Sequence, residues 1–242
     1  MTEAEWLACE DPQEMLRFLI SSPNERRFAT AGRRRHLSSE PGPRDSATSD
    51  RKLRLFAVAC CRRAWDRLTE ERGRRGVESA ERFADGLEGQ HWLDIERSAV
   101  FASSPRNTPE WTADYAVFFA MERSAITAAK GAANCLASGA AIHSGTASRT
   151  VEKRIQCDIL RDVMGNPFRT VWLDPRWLSP NDGLVEKLSL GIYAENAFDR
   201  LPILADALED AGCGDAGILA HCRGPGPHVR GCWVVDLILG KE

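Results

Sequence analysis

A chain of 242 residues, 43% hydrophobic and 28% charged, is long enough to bury its own core and is neither wholly disordered nor fibrous. The net charge of −3 is unevenly spread, with residues 1–75 holding 16 of the 32 Lys and Arg against 12 acids. The acidic overall balance argues against a dedicated nucleic-acid binder, and no apolar run approaches the roughly 18 residues of a membrane span.

The opening Met1-Thr-Glu-Ala-Glu-Trp6 carries acids where a signal peptide carries bases. The eight cysteines, at 9, 60, 61, 135, 157, 213, 222 and 232, are scattered through a chain that needs no staple to fold. Together these features predict a cytoplasmic protein with reduced thiols.

Thr2 and Glu5 have the spacing of a capping box, and Asp11 before Pro12, with Glu14, repeats the signal, so two short helices open the chain. The second carries Met15, Leu16, Phe18, Leu19 and Ile20, an apolar stripe that needs a partner surface. Residues 21–49 turn to Ser, Pro, Gly, Asn and Arg and include Arg33-Arg-Arg-His36, which predicts a disordered basic insertion.

Leu53, Phe56, Ala59, Cys60, Ala64, Trp65 and Leu68 recur at three- and four-residue spacing, predicting a helix from Asp50 to Glu71 with Asp50 as its cap. Helices over Arg75–Asp85 and Gln90–Ala102 follow, separated by Gly86 and Gly89, before Pro105-Arg-Asn-Thr-Pro109 breaks the pattern. Thr108 and Pro109 then start a helix through Trp111, Tyr115, Phe118 and Phe119 into the alanines of Ala125–Ala141, where Gly131 and Gly139 predict a break. A charged helix holding Val151, Ile155, Ile159, Leu160 and Val163 stops at Gly165-Asn-Pro167.

Trp172 to Leu178 forms an aromatic joint, and Ser179-Pro180 starts a helix with Leu184, Leu188, Leu190, Ile192 and Tyr193 on its apolar side. Leu201, Leu204, Ala207 and Leu208 mark a helix ending before Gly212, Asp215 caps a short one at Ile218-Leu219, and Gly224-Pro-Gly-Pro227 is a tight turn. Trp233–Leu239 reads as a last helix, although so short an apolar run also fits a buried strand. The fold expected is all-α, an irregular multi-helix bundle or array in one domain over residues 1–242, with 170–242 as a C-terminal helical subdomain.

Several blocks carry a resemblance: Met1-Thr-Glu-Ala-Glu-Trp6, Arg51-Lys-Leu-Arg-Leu-Phe-Ala-Val-Ala-Cys60-Cys61, Asp158-Ile-Leu-Arg-Asp162 with Gly165-Asn-Pro-Phe-Arg169, and above all Cys222-Arg-Gly-Pro-Gly-Pro-His228-Val-Arg-Gly-Cys232-Trp-Val-Val-Asp236. They resemble a family of proteins present in many copies in planctomycete bacteria, to which no activity is attached. The resemblance implies a bacterial, cytoplasmic origin and carries over no catalytic or binding residue.

Cys213, His221, Cys222, His228 and Cys232 place five soft ligands within 20 residues, and the turn at 224–227 could fold Cys222 toward His228 and Cys232. Zinc takes four such groups in a tetrahedron, so zinc is the one cofactor candidate; the spacing, however, has no Cys-x2-Cys pair. The plainer alternative makes the cysteines small buried hydrophobes and the histidines packing residues. His228 and Arg230 near a helix start form a candidate anion contact, set against simple capping of the turn. Glu88 and His91 share the Glu-x-x-His spacing of di-iron bundles but lack a second copy, and Cys60 and Cys61 diverge on a helix. Trp65 and Trp111 fall in phase with apolar stripes and are expected in the core.

The function expected is a non-catalytic helical module that binds a protein partner. A zinc-bound or nucleic-acid-associated regulator is the first alternative, and a small-molecule enzyme without a recognisable motif the second.

Overall fold

In a computed structural model, which describes residues 1–21, 49–103 and 111–241, the chain is all-α: twelve α-helices and three short 3-10 turns, with no strand among the described residues. The basic run Arg33–His36 and the rest of 22–48, together with Pro105–Pro109 and the Thr108 cap, lie outside the described residues. No helix among the described residues is long and apolar enough to cross a membrane.

The opening signals are realised. Helix α1, Glu3–Ala8, begins with a capping box in which Thr2 accepts from the Glu5 amide and Glu5 accepts from the Thr2 amide. Helix α2, Pro12–Ser21, is started by Asp11, whose carboxylate accepts from the Gln13 amide at 2.9 Å. Helix α3, Asp50–Arg63, is capped by Ser49 rather than Asp50 and stops short of Glu71. A 3-10 turn at Trp65–Arg67 takes over there, and the Trp65 ring lies beneath the guanidinium groups of Arg62 and Arg74. Trp65 and Trp111, both expected in the core, are half-buried, whereas Trp6 is wholly buried.

Helices α4, Glu71–Ala84, and α5, Gln90–Ser103, pack on each other. Helix α6, Trp111–Ala120, lies along the central helix α7, Ala125–Ser144. The break in this stretch falls at Glu122–Ser124, where Ser124 caps α7, and not at Gly131 or Gly139. Those two glycines serve approach instead: a methyl at Gly131 would run into the ring of Phe119, and one at Gly139 into Thr112, both on α6. Helix α8, Thr146–Met164, returns along α7 and ends at Gly165.

Helix α9, Pro180–Glu195, becomes regular only after Asn181, Asp182 and Gly183, which take left-handed φ values. The Ser179-Pro180 start is thus displaced by one turn. Helices α10, Leu201–Asp210, α11, Ala216–Arg223, and α12, Trp233–Leu239, complete the chain. The apolar 233–239 run is therefore a helix and not a strand.

Buried hydrophobic side chains gather in two clusters. One runs from Trp6 to Val163 over α1–α8, the other from Val185 to Ile238 over α9–α12. The clusters meet where Gly231, at φ 95°, brings its backbone against Leu55 and Val163; a Cβ there would sit 3.0 Å from Leu55 Cδ1.

Beside this contact the seam is ionic. Arg51 donates to Asp236 Oδ2 at 2.7 Å, to Asp85 Oδ1 at 3.1 Å and to the Tyr193 hydroxyl at 2.7 Å. Tyr193 donates in turn to Asp85, which also receives Arg230 at 2.9 Å, and Lys52 lies 3.3 Å from Asp236. Burial pushes the Tyr193 hydroxyl well up, and its bond to Asp85 adds to the effect; burial would raise Asp85 too, but Tyr193, Arg51 and Arg230 hold it below the usual carboxylate range. Asp236 is 1% exposed, and Asp236→Ala would remove the buried carboxylate that Arg51 and Lys52 share, leaving Arg51 with Asp85 and Lys52 with the Val163 carbonyl. A loss of about 3 kcal/mol is expected in urea unfolding, and an unchanged midpoint would show that the seam bears no load.

Candidate metal centre

Asp162 sits on the apolar side of α8, between Leu160 and Val163 and one turn before the helix ends at Gly165. A bare carboxylate at such a position is costly, and its partners come from the elements around the C-terminal cluster. His221 is in the last turn of α11, and Cys232 is the residue from which α12 starts. His228 follows the turn at Gly224–Pro227; Gly226 at φ 80° lets the chain fold so closely that a Cβ there would lie 2.9 Å from the His228 nitrogen.

His228 Nδ1 donates to Asp162 Oδ1 at 2.7 Å, and the Val229 amide donates to Asp162 Oδ2 at 2.9 Å. His221 Nε2 is 3.2 Å from the same Oδ1 and 3.1 Å from Cys232 Sγ. The four ligand atoms of Asp162, His221, His228 and Cys232 all lie within 4.8 Å of one another. Asp162 and Cys232 are buried, and the two imidazoles are largely so. An open cleft of roughly 230 Å³, lined by Asp158, Arg161, His221 and the 224–228 turn, reaches the group from outside. Arg161 at its rim is held by the carbonyls of Trp6 and Cys9 and by Asp158.

Donor and acceptor roles fix the protons. Both ring nitrogens of His228 face acceptors, Nδ1 toward Asp162 and Nε2 toward the Gly224 carbonyl at 3.3 Å, so both carry hydrogen. Burial alone would push this imidazole down, but the bond and charge of Asp162 outweigh it and hold the group above its ordinary value. Asp162 is the mirror case: burial would raise it, and the bonds from His221 and His228 keep it below the usual range. Cys232 is pushed well up, first by burial and then by the charge of Asp162, so it is a thiol in this arrangement.

Of the five side chains singled out by spacing, the fold brings His221, His228 and Cys232 together. Cys213 and Cys222 instead pack in the C-terminal cluster outside the group, and burial pushes the Cys222 thiol up to about 12. The fourth member, Asp162, comes from a helix 59 residues before His221 and has no spacing signature; an acid on an apolar stripe is the one signal it offers. His228 and Arg230 do not converge on an anion. His228 holds Asp162, while Arg230 turns to Asp85 and lies over the Tyr193 ring at 4.1 Å. Glu88 pairs with Arg82 at 3.4 Å.

One carboxylate, two imidazoles and one thiol form a group that could hold a metal ion. No protein-family model matches the chain, and neither a curated protein nor a solved structure matches it.

The raised pKa of His228 makes a signed prediction for the metal-free chain. Its pairing with Asp162 contributes fully below about pH 6.5, the value of an unfolded imidazole, and is lost as pH rises through the higher folded value. Asp162 contributes in the opposite sense, fully above about pH 4 and lost as pH falls through its lowered value. Urea midpoints measured in chelator should therefore decline on the alkaline side, and His228→Gln should flatten that decline. A variant with the same alkaline slope as the wild type would contradict the assignment.

Proposed function

We propose that this chain is a non-catalytic helical protein-interaction module whose C-terminal unit is fastened to the N-terminal bundle by a zinc ion at Asp162, His221, His228 and Cys232. The observation that carries the reading is the convergence of four donors from α8, α11, the 224–228 turn and the start of α12. Thiolate and imidazole favour zinc over magnesium or calcium, which prefer oxygen. A full set of four protein donors suits a structural ion, since catalytic zinc keeps a position open for water. One carboxylate and one thiolate also cancel the charge of the ion, which suits so buried a place. A bacterial cytoplasm would keep the thiol reduced and available.

The metal content of the untagged protein, by mass spectrometry, tests this directly. About one zinc per chain is expected, and adding zinc to the stripped protein at about a hundred times its Kd should stabilise it by about 2.7 kcal/mol, or about 5–10 °C in Tm. Asp162→Ala and Cys232→Ser should abolish both effects. A stripped protein whose Tm ignores zinc would retire the reading.

Exposed apolar side chains in the turn before α5 and in its first two turns support the interaction half of the proposal. Leu87 is 72% exposed, Trp92 59% and Ile95 43%, with the last two on one helix face. Replacing Trp92 and Ile95 by Ser should leave Tm within about 2 °C, because exposed positions contribute little. The same change should remove proteins that the wild type captures from cell extract. Identical capture by both would take this face out of the reading.

A further inference from the structure

The four candidate ligands are not equally ready for a metal. His228 would bind through Nδ1 while its Nε2–H kept the Gly224 carbonyl, the usual second hydrogen bond of a metal-bound imidazole. His221 is arranged the other way round. Its Nδ1 lies 3.0 Å from Nε1 of Trp233, and an indole nitrogen can only donate. Nδ1 must therefore be the bare nitrogen, and the ring proton sits on Nε2, aimed at Asp162 and Cys232. Metal binding needs the reverse, a lone pair on Nε2 and a hydrogen on Nδ1, which would set two N–H groups head to head.

We propose that Trp233 is a positioning residue that governs metal loading: its indole N–H holds His221 in the non-ligating tautomer, and the centre closes on zinc only when that hydrogen bond breaks. This rests on the zinc reading above and adds its regulation. Trp233 cannot move alone. Its ring stands against Gly165, the residue that ends α8, so closely that a Cβ there would lie 3.2 Å from Trp233 Cγ. The same ring is tilted against His221 with centroids 5.0 Å apart, and it packs on the C-terminal cluster. Metal occupancy is thereby linked to the packing of one helix end at the seam between the two units.

Zinc affinity by chelator competition, for the wild type and Trp233→Phe, tests the idea. Losing one opposing hydrogen bond should tighten binding about tenfold in the variant. Should Trp233→Phe fail to fold, the imidazole nitrogen spectrum of ¹⁵N-labelled wild type gives the same answer. His221 is expected to carry its hydrogen on Nε2 without zinc and on Nδ1 with it, and the Trp233 indole signal to shift as it loses its acceptor. Zinc binding of equal or lower strength in the variant, or a His221 that keeps Nε2–H in the loaded protein, would overturn the inference and leave the zinc reading standing. Failure of both proteins to bind zinc would overturn both.

Discussion

Three carboxylates, Asp85, Asp162 and Asp236, are withdrawn from water at the seam between the two hydrophobic clusters, and each is met by donors from the opposite side. Asp85 receives Arg230 and Tyr193, Asp162 receives His228 and His221, and Asp236 receives Arg51 and Lys52. A buried charge without its partner is expensive, whereas apolar surfaces tolerate sliding past one another. These pairs therefore do what the apolar contacts at Leu55 and Gly231 cannot, which is to set a single register between the units. The ionic contacts and the candidate metal centre are two ends of one seam, joined through the sixteen residues from His221 to Asp236.

Most of the helical architecture was legible because the chain writes it locally. Thr2 with Glu5, Asp11 before Pro12, and Asp215 before Ile218 all cap helices in the structure, and each signal lies within a few residues. What escaped a sequence reading depends on neighbours. Gly131 and Gly139 look like breaks on propensity, yet their missing side chains are what allow α6 to lie against α7, and tertiary contact outweighs the local preference. The end of α3 likewise coincides with the 3-10 turn where the Trp65 ring meets Arg62 and Arg74, contacts that no periodicity encodes.

The candidate site was half legible for the same reason. His221, His228 and Cys232 stand close in sequence around a turn that brings them close in space, so composition was enough to raise them. Asp162 is contributed by another element and could be identified only once α8 was seen to lie beneath the turn. Cys213 and Cys222 have the right chemistry and the right neighbourhood but point into the apolar cluster. For a free cysteine, a short sequence distance does not distinguish a ligand from a packing residue.

The salt bridge between Arg51 and Asp236 spans 185 residues of chain and has a bearing on how the protein is made. Helix α3 and its partners through α8 are all synthesised before the residues that cover their shared edge. Until residues 231–236 are added, Arg51 has Asp85 and Lys52 the Val163 carbonyl but neither has Asp236, and the Leu55 and Val163 side chains have no Gly231 to pack on. The N-terminal bundle thus exists for a time with one raw edge, partly charged and partly apolar, and closure is a late, long-range event of the kind that slows folding. The cations at that edge keep the unfinished bundle hydrated there and disfavour its sticking to another copy, so the side chains that later become the lock serve the growing chain first as a guard.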